Sequence, residues 1–195
     1  PLAPAAAMQQ FFREPDAPFL VSADETVERV TLPEVVAAAP SLLGKLTGEK
    51  AVAAVAVSQA QAVIDATRVK SPDAVLIFET RGPIEVTDTP LRLGSRMFLQ
   101  VSAGGGIIAA DNCTAASLIE IKDAEAVTIF SRGPGIGVID GRGKPVTGIS
   151  VTGGARINLD RLVVQKCGTA GIDYRGGDAA AVNQAASATR CQFSE

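Results

Sequence analysis

Histidine and tryptophan are absent from the 195-residue chain, and tyrosine occurs once. Without histidine, these residues can form no Ser-His-Asp triad, no His-ligated zinc site, no haem histidine and no imidazole base. Sugar-binding platforms generally use exposed Trp or Tyr, so such a platform is also disfavoured. These absences exclude several classes of enzyme site from these residues before any motif is considered.

Cysteine is scarce as well, with Cys113, Cys167 and Cys191 as the three examples. Three scattered cysteines are too few for a disulfide scaffold or a zinc site. We expect them to act as small buried hydrophobic residues. A single disulfide between Cys167 and Cys191, with Cys113 left free, is the alternative.

Basic residues do not cluster anywhere in the sequence, and 18 Lys and Arg against 21 Asp and Glu give a net charge of −3. A nucleic-acid partner is therefore not expected, because phosphate neutralisation needs a concentrated basic patch. No apolar run reaches the roughly 18–20 residues of a membrane span. A hydrophobic fraction of 47% with 20% charged residues predicts a globular protein with a full core.

Proline and glycine divide the chain. Six of the 11 prolines fall in the first 40 residues, and 17 of the 19 glycines follow residue 80. Because proline breaks helices and β-ladders, residues 1–50 are predicted to form an irregular arm, with Phe11, Phe12 and Phe19 packed on the body. The sequence starts at Pro1 without Met or a charged stretch, which indicates that a signal peptide or a tag was removed.

Residues 51–70 contain neither glycine nor proline and are rich in alanine. Val57, Ala60 and Ile64 recur at helical spacing, with polar side chains between them. Ser71 followed by proline ends the pattern. The pattern predicts an amphipathic helix over 51–70.

From Val75 onward the sequence changes to short runs of β-branched and aliphatic residues, separated by glycine and polar turns. Strands this short and numerous are typical of a β-sandwich or of a coiled repeat. Asp140-Gly141 is the one Asp-Gly or Asn-Gly pair, which disfavours a sandwich built from tight hairpins. The predicted strands are Val75–Phe78, Ile84–Val86, Met97–Val101, Ile107–Ile108, Leu118–Ile121, Val127–Ile129, Gly137–Ile139, Ile149–Val151, Ile157–Leu159, Leu162–Val164 and Gly171–Tyr174.

One phrase of alternating apolar and polar residues followed by a turn occurs three times, at intervals of 30 and then 23 residues. Its copies are Leu118–Asp123, Gly148–Gly153 and Gly171–Gly176. Each copy precedes a second short strand: Val127–Ile129, Ile157–Leu159 and a weaker Ala181-Val182. Such a period indicates a solenoid, and the lack of a leucine and asparagine ladder excludes a leucine-rich repeat. The prediction is an all-β parallel β-helix, with the helix at 51–70 as the cap over its open end.

This combination resembles the right-handed parallel β-helix proteins of the pectin-lyase-like superfamily, in which an amphipathic helix commonly precedes the first coil. The resemblance runs from about residue 60 to residue 195 and implies that residues 74–195 are the first coils. Arg190–Phe193 resembles the middle of a coil, and about five coils can be counted. We therefore expect the N-terminal portion of a longer, apparently truncated β-helix, or a second chain that completes it.

The closest local resemblance lies at Val127–Gly143, which contains Gly-Ile-Gly-Val-Ile-Asp-Gly-Arg-Gly. It is similar to the "ITG-x-G-x-IDG-x-G" stretch of polygalacturonase-type glycoside hydrolases, where the glycines mainly permit tight turns between coils. The resemblance implies either a structural turn or a place at the end of a sugar cleft. In the second case Asp140 and Arg142 would bind substrate.

The catalytic pattern of those hydrolases, Asn-Thr-Asp-Gly-Ile-Asp, corresponds to residues 168–173 here. Gly168 and Ala170 stand where the family has Asn and the first Asp, whereas Asp173 is retained. Hydrolysis of a glycosidic bond needs a pair of carboxylates. A stretch with one carboxylate therefore disfavours a polygalacturonase mechanism within these residues.

Polysaccharide lyases and epimerases of the same fold use a base to remove the proton beside a uronate carboxylate, which a cation neutralises. By this resemblance, Lys166 and Arg175 are candidate bases or neutralising cations, Asp173 is a further catalytic candidate and Tyr174 is a substrate-binding candidate or acid. Asp173 and Asp178 are candidate ligands for calcium. The alternative is that these residues form a solvated outer face.

Two functions follow from this resemblance. The first is a secreted, periplasmic or cell-surface protein that acts on an acidic polysaccharide by lyase, hydrolase or epimerase chemistry, with most of its active site beyond these residues. The second is a non-enzymatic structural or adhesive β-helix on a surface, which the alanine-rich and aromatic-poor composition favours. A β-sandwich binding module is the third and would require antiparallel hairpins.

Overall fold

The computed structural model describes residues 11–13, 20–22, 25–32, 35–36, 52–102, 104–132, 135–176, 186–189 and 191–194. These residues form twenty strands and one helix. Before the helix lie β1 (Phe11–Arg13), β2 (Leu20–Ser22), β3 (Val27–Thr31), β4 (Val35–Val36), β5 (Val52–Ala53) and β6 (Val55–Ala56). The helix, α1, spans Val57–Lys70.

After the helix the described chain is built from strands alone. They are β7 (Val75–Thr80), β8 (Pro83–Val86), β9 (Leu91–Leu93), β10 (Met97–Ser102), β11 (Gly106–Ala109), β12 (Ser117–Lys122), β13 (Glu125–Arg132), β14 (Gly137–Lys144), β15 (Thr147–Thr152), β16 (Ala155–Asp160), β17 (Leu162–Cys167), β18 (Ala170–Arg175), β19 (Ala186–Thr189) and β20 (Gln192–Ser194).

Most of these strands belong to three parallel sheets. The first sheet has the order β3, β7, β10, β13, β16, β19, the second β6, β8, β11, β14, β17, β20, and the third β9, β12, β15, β18. From β7 onward, successive strands join the first, second and third sheet in turn, and each pairs in parallel with the strand three places further along the chain. This order is consistent with the predicted parallel β-helix, whose right-handed sense stays a prediction. Two antiparallel ribbons, β1–β2 and β4–β5, lie outside these sheets.

The predicted repeat phrase is confirmed in register. Ile119 of β12 is paired with Ile149 of β15, which is paired with Ile172 of β18. The interval between copies is longer across β14, where the register with β17 shifts between Asp140 and Lys144. The extra residues of the glycine-rich stretch therefore form an outward bulge, and the pairing on both sides of it is preserved.

The core is made of aliphatic ladders that point inward from the sheets. In the second sheet, Val55, Ile84, Ile107, Ile139 and Val164 follow one another in register, and each is at most 1% exposed. The residues between them, such as Glu85 and Asp140, point outward, which is the period of two that a strand requires. Branched residues fill such a ladder closely, which explains why the sequence uses so few large aromatics.

The helix occupies the place that a third-sheet strand takes in later repeats. In chain order, β3 of the first sheet and β6 of the second are followed by α1, and then by β7 of the first sheet. Val57, Ala60 and Ile64 of α1 are buried in the main core, as their spacing predicts. The apolar side of the helix thus covers the interior beside the first strand of the third sheet.

Local structure differs from the predictions at several places before residue 100. The helix begins at Val57, because 52–53 and 55–56 are strands. Residues 27–31, predicted as irregular arm, form β3 and pair with β7. The strand β9 was not predicted, since its three residues carry no long β-rich run. The packing predicted for Phe11, Phe12 and Phe19 lies outside the described side chains.

The weak second strand predicted at Ala181-Val182 also lies outside the described residues. The strand that continues the ladder of the first sheet is β19, whose Ala186 pairs with Ile157. The second short strand therefore recurs later in the chain than the sequence pattern indicated. The division of the chain into an arm, a cap and coils, and its truncation, stay predictions.

The three cysteines carry free thiols. All are half-buried and pack against the main core, as expected for small hydrophobic residues. The alternative disulfide is wrong: Val163 pairs with Gln192, so Cys191 lies beside Leu162, five positions along β17 from Cys167. Five strand residues span about 16 Å, and a disulfide needs Cα atoms within about 7 Å.

Candidate functional site

The outward face of the third sheet carries rows of polar side chains. Glu120 is paired with Arg92 on one side and with Ser150 on the other, and Asp173 continues this row. A second row, two residues further along each strand, contains Lys122, Thr152 and Arg175. Inward residues of β9, β12 and β15 are buried, whereas Ile172 and Tyr174 of β18 are partly exposed, so the sheet separates these rows from the core. We call the two rows the outer rows of the third sheet.

Asp173 and Arg175, two of the predicted catalytic residues, lie together on this face. The Arg175 Nε donates to Asp173 Oδ2 at 2.9 Å, and Nη2 lies 2.8 Å from the same oxygen. The Arg175 side chain is 74% exposed and that of Asp173 is 32% exposed. An i, i+2 pair on one strand face brings the groups into contact. The guanidinium thus keeps a free edge toward solvent while one edge holds the carboxylate.

Tyr174 lies on the opposite face from its two neighbours. It is paired with Val151, which is paired with Ile121, and both of those residues are buried on the inward side. Consecutive side chains on a strand alternate between faces, so the register places Tyr174 on the other side of β18 from Asp173 and Arg175. The Tyr174 side chain is nevertheless 38% exposed at this end of the sheet, and its substrate-binding role stays a prediction.

Lys166 belongs to β17 of the second sheet rather than to the third sheet. Its side chain is exposed and its backbone has a positive φ of 51°. It lines an open groove of about 580 Å³ at the corner between β17 and β18. The lining residues are Gly143, Val164, Lys166, Cys167, Gly168, Thr169, Ala170, Gly171, Phe193 and Ser194. Asp173 and Arg175 do not line this groove.

Asp140 and Arg142 lie on the outward side of the second sheet and are held by local contacts. The Arg142 backbone N–H donates to Asp140 Oδ1 at 2.8 Å, and the Gln165 side-chain amide donates to Oδ2 at 2.9 Å. The Arg142 guanidinium lies 3.4 Å from Glu85 Oε1. Both Asp140 oxygens thus accept hydrogen bonds within the fold. These contacts favour the structural-turn interpretation over the substrate-binding one.

The glycines of the same stretch have a steric function. A Cβ on Gly141 would overlap the Lys166 carbonyl oxygen and would lie 2.7 Å from the Cys167 Cα. Gly143 has a φ of 74° with open space around it, so it is required for its backbone conformation instead. Close packing beside Cys167 also has an electrostatic effect, since burial raises the pKa of the Cys167 thiol.

Calcium binding by Asp173 and Asp178 involves a residue that the structure does not describe. Asp178 lies outside the described residues. Among the residues from 11 to 194 that are described, no group of three or more Asp, Glu, Cys or His could hold a metal ion. The Asp173 carboxylate is the described member of the predicted pair, and it accepts from Arg175.

Sequence reasoning missed the other members of the outer rows. Glu120 Oε2 lies 3.1 Å from Arg92 Nε, and Lys122 lies exposed beside this pair. The signal was present, because Glu120 and Lys122 belong to the first copy of the repeat phrase, aligned with Asp173 and Arg175. Reading the phrase column by column would have identified Glu120, Ser150 and Asp173 as one row and Lys122, Thr152 and Arg175 as the other, whereas Arg92 of β9 precedes the first copy.

No protein-family model, curated protein or solved structure matches this chain. The described part of the chain contains no helix that is long and apolar enough to cross a membrane. The pectin-lyase-like resemblance therefore stays a prediction from the sequence. The three parallel sheets, in contrast, are established by the strand pairing in the structure.

Proposed function

We propose that this chain is a carbohydrate-active protein that binds an acidic polysaccharide across the outer rows of the third sheet. The observation that carries the proposal is the second row, in which Lys122, Thr152 and Arg175 succeed one another on adjacent parallel strands. Neighbouring strands are about 4.8 Å apart, so the two cations are about 10 Å apart with a hydroxyl between them. A linear ligand with repeated carboxylates matches such a row.

The first row supports this arrangement by orienting Arg175 of the second row and Arg92 of its own row. Asp173 contacts Nε and Nη2 of Arg175, and Glu120 contacts Nε of Arg92. A guanidinium anchored by one carboxylate still presents N–H donors to a second one. Binding by exposed cations is weakened by salt, so the affinity should fall as ionic strength rises.

The reaction in this proposal is removal of the proton beside a uronate carboxylate, as in lyases and epimerases of the resembled superfamily. Arg175 would neutralise the carboxylate and make that proton more acidic. Lys166 lines the separate groove at the corner between β17 and β18, so the base for a uronate held by Arg175 would come from beyond the described residues. Asp173 acts here by positioning Arg175. Calcium, if Asp173 and Asp178 bind it, would supply further neutralising charge. Such a substrate implies a secreted, periplasmic or surface protein, and a further chain could complete the site.

A non-enzymatic adhesive or structural protein is the second candidate. It is favoured by the pairing of the candidate carboxylates: Asp173 accepts from Arg175, and Asp140 accepts from Arg142 and Gln165. Lys166 also lies on the second sheet, whereas Asp173 and Arg175 lie on the third. A surface whose charges are satisfied within the fold can bind a glycan without processing it.

Affinity electrophoresis and a turnover assay on the full chain test both candidates. Polygalacturonate and alginate serve as acidic glycans, and dextran as the neutral comparison. Lys122→Ala with Arg175→Ala should weaken acidic-glycan binding at least tenfold, whereas Arg156→Ala, which removes an exposed cation paired with Glu125 elsewhere, should not. Equal binding by wild type and double variant would overturn the proposal. Binding without new reducing ends, unsaturated product or exchange of the uronate C5 proton with deuterated solvent would establish the second candidate.

A further inference from the structure

The outward face of the first sheet is covered, unlike that of the third. Ile77, Phe98 and Phe130 point away from the core, yet they are 1%, 7% and 1% exposed. With Val75 they form an apolar cluster separate from the main core. We call these four residues the outer cluster. Thr128, next to them on the same face, is equally buried at 1% exposed.

The strand sequences explain why this face differs. Val75-Leu76-Ile77-Phe78 is a continuous apolar run, and both its inward and outward members are buried. The third-sheet strand Leu91-Arg92-Leu93 alternates and leaves its central residue exposed. Parallel strands with continuous apolar runs are covered on both faces. The first sheet therefore needs a covering element over β7, β10 and β13.

The described side chains explain burial at only one edge of the outer cluster. Val27 of β3 is the partly buried apolar residue among them that packs against the outer cluster. It lies on the neighbouring strand, since Val27 is paired with Val75. A residue beside the cluster on the same sheet cannot cover Phe98 and Phe130, which are two and three strands away from β3. Another segment must lie over them.

We propose that the N-terminal ribbon, formed by β1 and β2, docks on the outer cluster as its cover. Phe11 pairs with Ser22 and Arg13 with Leu20, so the ribbon has two strands of three residues each. An isolated two-stranded ribbon is at best marginally stable in water. It therefore needs a surface to pack on, and its Phe-Phe and Leu-Val sequences match an apolar one.

Chain connectivity brings the ribbon to this face. Glu25, three residues after β2, accepts from Arg96 at 2.6 Å, and Arg96 directly precedes β10. Thr26, the residue after Glu25, is held beside β7 because its carbonyl accepts from the Val75 N–H. The ribbon thus enters the fold at the margin of the outer cluster. The second ribbon, β4–β5, is instead followed after one residue by β6 of the second sheet.

Hydroxyl-radical footprinting of the full chain tests the docking. In Phe11→Ser with Phe12→Ser, oxidation of Phe98 and Phe130 should rise severalfold, while inward Leu99 stays protected and shows that the body is folded. Val35→Ser with Val36→Ser in the second ribbon is the matched control and should change neither. Unchanged oxidation in the first variant, or a rise in the control alone, would overturn the proposal.

A photo-crosslink keeps the proposal testable if the serine variant unfolds. Benzoylphenylalanine in place of Phe12 should crosslink to peptides that contain residues 75–77, 97–102 or 127–132. Crosslinks confined to the second or third sheet would place the ribbon elsewhere and overturn the proposal. Crosslinks between two copies of the chain, which a mixture of isotopically labelled and unlabelled protein reveals, would also overturn it.

Discussion

Gln61 on α1 pairs with the backbone of Arg92 on β9 as a neighbouring strand would. The Arg92 N–H donates to Gln61 Oε1 at 2.8 Å, and Gln61 Nε2 donates to the Arg92 carbonyl at 3.4 Å. The strand β9 is the edge of the third sheet, and its backbone groups would otherwise be open to pairing with another chain. One amide side chain thus joins the helix to the first strand of the sheet that carries the candidate site.

Gln61→Ala should lower the free energy of unfolding by about 0.5–1.5 kcal/mol, because it removes both hydrogen bonds to β9. Urea unfolding followed by circular dichroism measures the change. Gln59→Ala is the matched control: Gln59 is exposed on the same helix, and alanine is a good helix former. Equal stabilities of the two variants would show that the amide pair contributes nothing.

Gly141→Ala should destabilise the protein by about 1–3 kcal/mol, because the new methyl group overlaps backbone atoms of Lys166 and Cys167. Gly143→Ala should cost about 1 kcal/mol from its positive φ alone. Asparagine distinguishes the two causes. It should partly restore stability at 143, where the backbone conformation matters, and should be worse than alanine at 141, where space does. The reverse order would refute these roles.

Alkylation of the unfolded chain, without prior reduction, should label all three cysteines, since Cys113, Cys167 and Cys191 are free. Intact mass measures the number of labels. In the folded protein, Cys167 should react more slowly than a free thiol at the same pH, because its raised pKa lowers the thiolate fraction. Loss of two labels that reduction restores would indicate a disulfide and would contradict the observed strand register.

The Glu79 carboxyl group should make the free energy of unfolding depend on pH. Burial opposes ionisation of this carboxyl group, but hydrogen bonds from Arg81 and Ser102 outweigh burial, so the pKa of Glu79 is lowered. The unfolded chain has the usual glutamate pKa of about 4.3. A carboxyl group with a lower pKa in the folded state stabilises the protein at pH values above the unfolded pKa, and this stability is lost as the pH falls through the folded pKa.

Glu79→Gln should therefore make the decrease in melting temperature below about pH 4.3 smaller than in the wild type. Differential scanning fluorimetry across pH measures it. Asp111→Asn removes an exposed acidic residue from a turn and serves as the control for net charge. A Glu79→Gln profile parallel to that of the wild type would show that this carboxyl group has no such effect.

Much of the strand pattern could be predicted because it depends on local chemistry. The repeat phrase places Ile119, Ile149 and Ile172 at the same point of each copy, and the structure pairs them in that order. The start of the helix was misjudged because Val52 and Val55 suit a helix as well as a strand in an alanine-rich context. Pairing with β4 and β8 decided between the two.

The candidate site was predicted less well than the strands. Asp173 and Arg175 are two residues apart, so their shared face followed from strand geometry. The register puts Tyr174 on the other side of the strand from these two residues, which three adjacent letters in the sequence do not show. Lys166 is close in sequence to these residues, but the corner after β17 separates the second sheet from the third.

By itself, the sequence determined the absence of histidine chemistry from these residues, the strand-rich character and the repeat that aligns the third sheet. These properties depend on composition and on short-range alternation. The tertiary structure decided which faces are buried, that α1 replaces a strand beside β9, and that Cys167 and Cys191 are too far apart to bond. Those features depend on contacts between residues distant in the chain, such as Gln61 with Arg92, which no local pattern encodes.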